Sequence, residues 1–286
     1  KKTVEYARSI EEEYDKCFRF TITTNGVLLD DENIEYINRE MSNAVLSIDG
    51  RKEVNDDLRP TVNGKGSYDV IVPKFQKLIE GRGTKDYYLR GTFTRFHQDF
   101  AEDVKALASI GRNISVEPVV GKEDDPYALQ EADLPALKAE YERLAEYLRD
   151  HPETNFFHFN VDLAQGPCVI KRLRGCGAGC EYVAITPEGD IYPCHQFVGN
   201  EDYKLGSLYD GTFDQELSGR FAGLNIYTRE ECRDCWARFY CSGGCSASNL
   251  LVNGDIKKPH RVGCELERKR LECAIALRAI AAGMAE

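Results

Sequence analysis

The sequence has neither an excess of basic residues nor a long apolar run. Its 286 residues include 37 Lys and Arg against 48 Asp and Glu, a net charge of −11. A chain this acidic offers no basic surface for nucleic acid or anionic lipid. No apolar run approaches the roughly 20 residues that cross a membrane. Residues 1–16 indicate an amphipathic helix and not a signal peptide, so we expect a cytoplasmic protein.

Cysteine is nearly absent from the first 167 residues, where only Cys17 occurs, whereas ten of the eleven cysteines lie between Cys168 and Cys273. An odd number of cysteines in a cytoplasmic chain argues against a disulfide framework, because the cytoplasm keeps thiols reduced. Clustered cytoplasmic cysteines more often bind a metal. We expect Cys17 and Cys273 to be core residues, as free cysteines often are. Cys168 is either a metal ligand or a residue without that role, and the sequence favours the second alternative.

The first half of the chain alternates β-rich runs with stretches that are typical of helices. Strands are predicted at 18–24, 44–50, 87–94 and 113–120, with a strand-like run at 155–163. Capping residues predict helices from Asp30 or Asp31 to Met41, from Ser67 to Leu78 or Ile79, and from Asp99 to Ile110. A long polar loop is predicted at 51–69 and an acidic helix at 124–150. The alternation predicts βαβ units and a parallel sheet, an α/β fold with too few units to close a barrel.

The second half carries eight cysteines in an irregular pattern. A hairpin predicted at 181–194 would bring Cys194 beside the loop that bears Cys176 and Cys180. A C-x2-C-x5-C-x3-C pattern then follows, and a last cysteine comes after eighteen intervening residues; these are Cys232, Cys235, Cys241, Cys245 and Cys264. Structural zinc usually takes two C-x2-C pairs or Cys/His mixtures, whereas irregular spacing with small residues favours a bulky cuboidal cluster. Eight thiols are enough for two 4Fe–4S clusters, with zinc as the alternative.

Further candidate residues lie beside Cys194 and at the ends of the predicted strands. His195 directly follows Cys194, and either an acid/base role or a hydrogen-bonding role in the core would suit it. Ligands of parallel α/β folds bind at the carboxyl ends of strands, where Ser47, Asp49, Thr92 and Glu117 are expected, although such residues also form ordinary turns. Arg59, in the predicted polar loop, could clamp a carboxylate.

The cysteine pattern resembles the SPASM domain, the auxiliary-cluster module of radical S-adenosylmethionine (SAM) enzymes. The match runs through Gly189 and seven cysteines: Cys176, Cys194, Cys232, Cys235, Cys241, Cys245 and Cys264. The resemblance implies one cluster on Cys176, Cys180, Cys194 and Cys245, and a second on Cys232, Cys235, Cys241 and Cys264. It implies that residues 1–125 are strands three to six of a partial (β/α)6 radical SAM barrel. Residues 126–164 would then be a connecting helix and strand, and 165–286 a small irregular α+β SPASM domain.

The same resemblance implies roles for the strand-end residues. Ser47 and Asp49 would lie near the ribose or amino-acid end of SAM, Arg59 would hold its carboxylate, and Thr92 and Glu117 would line the adenine side. A C-x3-C-x2-C motif for the SAM-cleaving cluster is missing from the sequence. We therefore expect the chain to be a fragment whose third cluster belongs to a region before Lys1.

Residues 181–208 and the loop at 59–66 look like those of SCIFF-class maturases. These radical SAM enzymes join a cysteine sulfur to a carbon in a cysteine-rich ribosomal precursor peptide. The resemblance implies a precursor peptide and a flavodoxin or ferredoxin as partners. One alternative is an anaerobic sulfatase-maturating enzyme, which makes formylglycine; in those relatives an aspartate acts as a base where His195 stands here. A second alternative is a non-catalytic zinc-binding interaction module.

Overall fold

The computed structural model describes residues 1–161 and 173–283, and the chain divides into two compact units. Unit 1 consists of Lys1–Val119 and Ala139–Asn160, and unit 2 consists of Val120–Lys138 and Val161–Glu286. Cys168 lies outside the described residues.

Unit 1 is built on a parallel sheet whose five strands follow one another in chain order. The strands are β1 (Thr21–Thr24), β2 (Asn43–Ser47), β3 (Asp86–Phe93), β4 (Asn113–Pro118) and β5 (Asn155–Phe156). Leu46 of β2 pairs with Leu89 of β3, which in turn pairs with Ile114 of β4. The predicted α/β class with a parallel sheet is confirmed.

Six helices accompany this sheet along the chain: α1 (Lys2–Ile10), α2 (Asp31–Glu40), α3 (Lys52–Leu58), α4 (Tyr68–Glu80), α5 (Phe100–Ala108) and α6 (Leu134–Asp150). The helices predicted to begin at Asp30, Ser67 and Asp99 are confirmed, and each of these residues is the N-cap of its helix. The Asp30 carboxylate accepts a hydrogen bond of 2.8 Å from the Asn33 amide, which satisfies one of the free N–H groups of the first turn.

The core of unit 1 combines aliphatic strand residues with stacked aromatic rings. Leu46, Leu89 and Ile114 are fully buried. The rings of Phe93 and Phe100 stack with 4.4 Å between their centroids. Burial of each large apolar side chain stabilises the fold by roughly 1.5–3 kcal/mol, and aromatic pairs add to this. Apolar packing therefore holds the sheet that presents the strand ends.

Three predictions for unit 1 were wrong. The polar loop predicted at 51–69 contains α3, which buries Val54 and Asn55. Within the described part of the strand predicted at 155–163, which ends at residue 161, only β5 is a strand, because the chain then turns into the 3-10 helix Phe157–Phe159. That turn brings the Phe156 and Phe159 rings to 5.1 Å from each other. Cys17 is exposed and is not a core residue.

The acidic segment at 124–150 is helical only in part. It becomes helical with the 3-10 turn Glu131–Asp133, and α6 follows from Leu134. The side chain of Gln130 and that of Asp133 form a capping box there, which fixes where the helix begins.

Unit 2 contains a small antiparallel sheet whose strands are two or three residues long. Its strands are β6 (Ala184–Ile185), β7 (Asp190–Tyr192), β8 (Gly206–Ser207) and β9 (Thr212–Phe213). Its helices are α7 (Gln215–Ala222), α8 (Arg238–Cys241), α9 (Ser246–Asn253) and α10 (Arg261–Ala281). The predicted hairpin before Cys194 is confirmed, with β6 paired to β7 and Gly189 at φ 82° in its turn.

The apolar core of unit 2 gathers around Phe197, Leu205 and Phe221. Cys273 of α10 is buried, as predicted. Among residues 1–161 and 173–283, no helix is both long and apolar enough to cross a membrane.

Candidate functional site

One set of cysteines lies around Cys194, at the end of the predicted hairpin. Burial raises the pKa of the Cys194 thiol, and the neighbouring Cys245 and Cys176 raise it further. Cys176 and Cys245 are exposed. The fold therefore brings together three thiols that lie up to 69 positions apart in the sequence. We call Cys176, Cys194 and Cys245 the first cysteine set.

A second cysteine set consists of Cys232, Cys235, Cys241 and Cys264. Burial raises the pKa of Cys264 to about 11, and the nearby thiols of Cys232 and Cys235 act in the same direction. Burial raises the pKa of Cys241 to about 12, with Glu267 and Cys264 as further causes. Such thiols give up their protons when a metal takes the proton's place, so metal loading would release protons.

The four cysteines of the second set line one cavity of about 430 Å³. Zinc held by four thiolates sits about 2.3 Å from each sulfur, so the four sulfurs of a zinc site lie close together. In the described parts of the chain, no three His, Cys, Asp or Glu side chains are grouped so that they could hold a single ion. Four thiols around an open space fit a cuboidal cluster, which is larger than an ion.

A left-handed turn separates the two sets within the C-x3-C segment. Ser242, Gly243 and Gly244 have φ values of 60°, 89° and 73°. Glycine enters this region without strain, whereas Ser242 does so at some cost. The Ser242 amide donates 2.9 Å to the Arg238 carbonyl and fixes the start of the turn. The turn lets Cys241 face the second set while Cys245, at the N-cap of α9, faces the first.

Cys180 lies in a tight glycine loop that also carries Cys176. The Gly177 carbonyl accepts hydrogen bonds from the amides of Cys180, Glu181 and Tyr182. The Cys180 thiol itself points to this carbonyl at 3.4 Å and is exposed. The Gly179 amide donates 3.0 Å to the Pro193 carbonyl, which holds the loop beside Cys194. The position of Cys180 as fourth ligand of the first set stays a prediction.

His195 is exposed and starts the 3-10 turn His195–Phe197 directly after Cys194. Its imidazole makes no hydrogen bond with the part of the chain that the structure describes. The ring is therefore accessible to an incoming molecule beside the first cysteine set.

Three arginines beside the cysteines were missed from the sequence. Arg229 is 3% exposed and lies near thiols of both sets. Arg238 and Arg268 both line the cavity of the second set, and Arg268 lies near Cys235. Only Arg268 had a signal in the sequence, because it follows Cys264 by four positions on α10 and so shares its face.

In unit 1 the structure brings together three of the predicted SAM residues. The Asp49 carboxylate, 3% exposed, accepts hydrogen bonds from Arg59 Nε at 2.5 Å and from Arg59 Nη2 at 3.2 Å. It also accepts the Thr92 amide at 2.8 Å. Gly91 allows this contact, because a Cβ there would lie 2.7 Å from the Ile48 carbonyl oxygen. This bidentate pair fixes the guanidinium and leaves Arg59 Nη1 without a partner among the described residues.

Ser47 and Glu117 lie elsewhere along the same strand ends. Ser47 is the last residue of β2 and pairs with Arg90 of β3. Glu117 Oε2 bonds Arg90 at 2.7 Å, and its other oxygen lies 3.5 Å from His158 Nε2. His158 also lies 3.0 Å from the Ser115 hydroxyl. The structure therefore places Glu117 in a polar network of its own, separate from the contacts of Asp49.

Comparison with known proteins finds a cluster-binding domain in this chain and relatives among peptide and sulfatase maturases. Residues 176–236 match SPASM, an iron–sulfur cluster-binding domain. The mycofactocin maturase MftC of Mycolicibacterium smegmatis is 27% identical over 249 residues, which are 83% of this chain and 61% of that protein. The cysteine-type anaerobic sulfatase-maturating enzyme of Clostridium novyi is 24% identical over 250 residues, 79% of this chain and 63% of that protein. The chain thus spans about three fifths of the length of these curated relatives.

The solved structure of native anSMEcpe with bound AdoMet and Cp18Cys peptide is similar in fold. It matches with a TM-score of 0.74 and 17% identity over 99% of this chain and 82% of that chain. Sequence and fold together relate this chain to the radical SAM maturases, and its residues 176–236 belong to a SPASM domain.

Proposed function

We propose that this chain is the barrel and SPASM portion of a cytoplasmic radical SAM maturase that forms thioether crosslinks in a cysteine-rich precursor peptide. The observation that carries the proposal is the division of the cysteines into two sets, one around Cys194 and one around the cavity with Cys264. Two auxiliary 4Fe–4S clusters would occupy these sets. The thioether product itself rests on the resemblance of residues 181–208 and 59–66 to SCIFF-class maturases.

Unit 1 would supply the site for SAM. The Asp49 carboxylate holds Arg59 through two hydrogen bonds, so the free Nη1 edge of Arg59 can receive the SAM carboxylate in a fixed direction. Thr92 would stand beside it through its amide bond to Asp49, and Ser47 and Glu117 would contact the rest of the cofactor.

When bound, SAM and its own 4Fe–4S cluster supply a deoxyadenosyl radical, and the auxiliary clusters supply an acceptor for one electron. A thioether bond requires that the peptide lose one hydrogen atom from carbon, one proton from the cysteine thiol and one electron. His195 is exposed beside the first cysteine set, and its imidazole can accept the thiol proton. A flavodoxin or a ferredoxin would supply the reducing electron.

The mass of the product tests the reaction. The complete gene-encoded protein, with SAM and reductant, should make a cysteine-containing precursor peptide lighter by two hydrogens and should block one thiol toward alkylation. Formylglycine formation from cysteine would instead remove sulfur. A product that has lost sulfur would replace our proposal with the sulfatase-maturating alternative, which the likeness to the Clostridium novyi enzyme supports.

Anaerobic purification tests the clusters against zinc. We expect a brown protein with about eight irons per chain for two auxiliary clusters, as thiolate-ligated 4Fe–4S sites require. A colourless, zinc-loaded protein would support the non-catalytic interaction module and overturn the proposal.

Substitution of Cys194 tests the two-set arrangement. Cys194→Ala should lose about four irons per chain and keep the other cluster, because Cys194 belongs to one set only. Cys17→Ala is the matched control, since Cys17 is exposed and lies in unit 1. Loss of both clusters, or of neither, would contradict two separate sets.

A further inference from the structure

Arg229 is a buried cation without an anionic partner among the described side chains. Its Nη1 donates to the Gly243 carbonyl, and its Nη2 donates to Ser246 Oγ at 2.9 Å and to the Ile256 carbonyl at 3.4 Å. No carboxylate in the described residues lies at ion-pair distance from it. Its Nε–H group is buried and has no acceptor in the same residues. A guanidinium in this state is costly to bury unless negative charge surrounds it.

The surroundings of Arg229 supply thiols from both cysteine sets. Cys232 and Cys241 of the second set act on its charge, and so do Cys245 and Cys176 of the first. The Arg229 carbonyl also accepts the Cys232 amide at 3.0 Å. Its Nη1 holds the carbonyl of Gly243, which lies in the left-handed turn between Cys241 and Cys245. Arg229 therefore touches the segments that direct cysteines to each set.

We propose that Arg229 is a positioning residue shared by the two auxiliary clusters, which places one buried positive charge between them and aims its Nε–H group at a cluster sulfur. The inference rests on the proposed function, because it requires both clusters. A 4Fe–4S cluster on thiolates carries net negative charge, and reduction makes that charge larger. A nearby cation and a hydrogen bond to sulfur both stabilise the reduced state, so Arg229 raises the reduction potentials of the two clusters together.

Arg238 is the control for the shared role of Arg229, because we expect its charge to act on one cluster only. It lines the cavity of the second set and donates 3.2 Å to the Cys235 carbonyl, so its charge belongs to one cluster. Arg233 is exposed, and its Nε donates 2.9 Å to the Tyr227 carbonyl. Water and salt screen a charge at such a position.

The test is a redox titration of the iron-loaded protein. The electron paramagnetic resonance signals of the reduced clusters monitor it and give one midpoint potential for each cluster. Arg229→Met should keep eight irons and shift both midpoint potentials to more negative values. Arg238→Met should shift the potential of one cluster only, and Arg233→Met should shift neither. Unchanged potentials in Arg229→Met, or a shift confined to one cluster, would overturn the inference.

Arg229→Lys keeps the test decisive if the methionine variant does not fold. Lysine retains the charge but lacks the Nε–H group of the guanidinium, so both potentials should fall by less than in a neutral variant. Potentials equal to those of the wild type would refute the role of the Nε–H group and of the charge position. Iron content separates this failure from that of the proposed function: a wild-type protein without about eight irons contradicts the clusters themselves.

Discussion

Unit 1 and unit 2 bury their side chains in different ways. Of the twelve largest side chains that are fully buried in the described residues, only Phe197 belongs to unit 2. The other eleven, among them Phe75, Phe100 and Tyr141, lie in unit 1. Unit 2 instead gathers seven thiols into two sets, and its strands are only two or three residues long.

This difference implies two sources of stability. A continuous apolar core is the dominant favourable contribution to folding, and unit 1 has one. A segment with a small core usually depends on disulfides or on metal, and cysteines that ligate iron cannot form disulfides. We infer that unit 1 folds on its apolar contacts and that unit 2 depends on the clusters proposed for it.

Removal of iron should have the largest effect, and it should unfold unit 2 while unit 1 stays folded. Treatment of the loaded protein with oxygen and a chelator should abolish the hydrogen-exchange protection of amides in 176–264, because metal binding and folding are coupled at such sites. Amides of β2, β3 and β4 should stay protected. Mass-spectrometric hydrogen exchange measures both. Persistent protection throughout unit 2 would contradict the inference that unit 2 depends on the clusters.

Truncation of a core ring should destabilise unit 1 and leave the iron content of unit 2 unchanged. Phe100→Ala removes a ring packed 4.4 Å from Phe93 and 4.8 Å from Tyr141, and should lower the free energy of unfolding of unit 1 by about 3–5 kcal/mol. Iron content should not change. Phe96→Ala, at a ring that is 62% exposed, should change the free energy by about 0.5 kcal/mol or less. Equal effects of the two substitutions in denaturant titrations would contradict a ring-filled core.

Neutralisation of Asp49 should weaken the SAM site proposed for unit 1 without affecting the proposed clusters. Asp49→Asn keeps an oxygen for the Thr92 amide but loses the charge that orients Arg59, so SAM affinity should fall about tenfold, or about 1.4 kcal/mol. Isothermal titration calorimetry with SAM measures this. Asp31→Asn, at an exposed position of α2, is the control for loss of one carboxylate. Unchanged affinity would remove Arg59 and Asp49 from the proposed site.

Helix caps should show the smallest effect and the same effect in both units. Asp30 caps α2 through the Asn33 amide, and Asp214 caps α7 through the Leu217 amide, both at 2.8 Å. Asp30→Ala and Asp214→Ala should each cost about 1 kcal/mol in the iron-loaded protein, because a cap acts within one turn. Denaturant titration of both variants measures this. A much larger cost for Asp214 would indicate that local contacts, and not the clusters, hold unit 2.

The sequence predicted the features that depend on local chemistry. Strand-rich runs, Asp30 and Asp99 as caps and the Pro-Glu-Gly-Asp turn before Cys194 each carry their signal within a few residues. Helix α3 was missed because its residues are mostly polar and only Val54 and Asn55 are buried. The run at 155–163 was predicted as one strand because its aromatic residues suit a strand, yet Phe157–Phe159 form a 3-10 turn that packs rings against each other.

In the candidate site, too, the sequence indicated which residues take part but not the contacts between distant segments. Cysteine spacing indicated eight candidate ligands, and the strand ends indicated Asp49 and Thr92. The pairing of Arg59 with Asp49 and the burial of Arg229 depend on contacts between distant segments, for which a single sequence carries no signal. The exposure of Cys17 was also unpredictable, because burial depends on what the rest of the chain places against it.

The left-handed turn at 242–244 limits how far the two cysteine sets can separate. Cys241 and Cys245 are four residues apart, so even a fully extended chain would hold their Cα atoms within about 14 Å. The turn shortens that covalent tether further. In the proposed enzyme, an electron that reaches one cluster always has the second as a near neighbour, whatever motion the surrounding loops undergo.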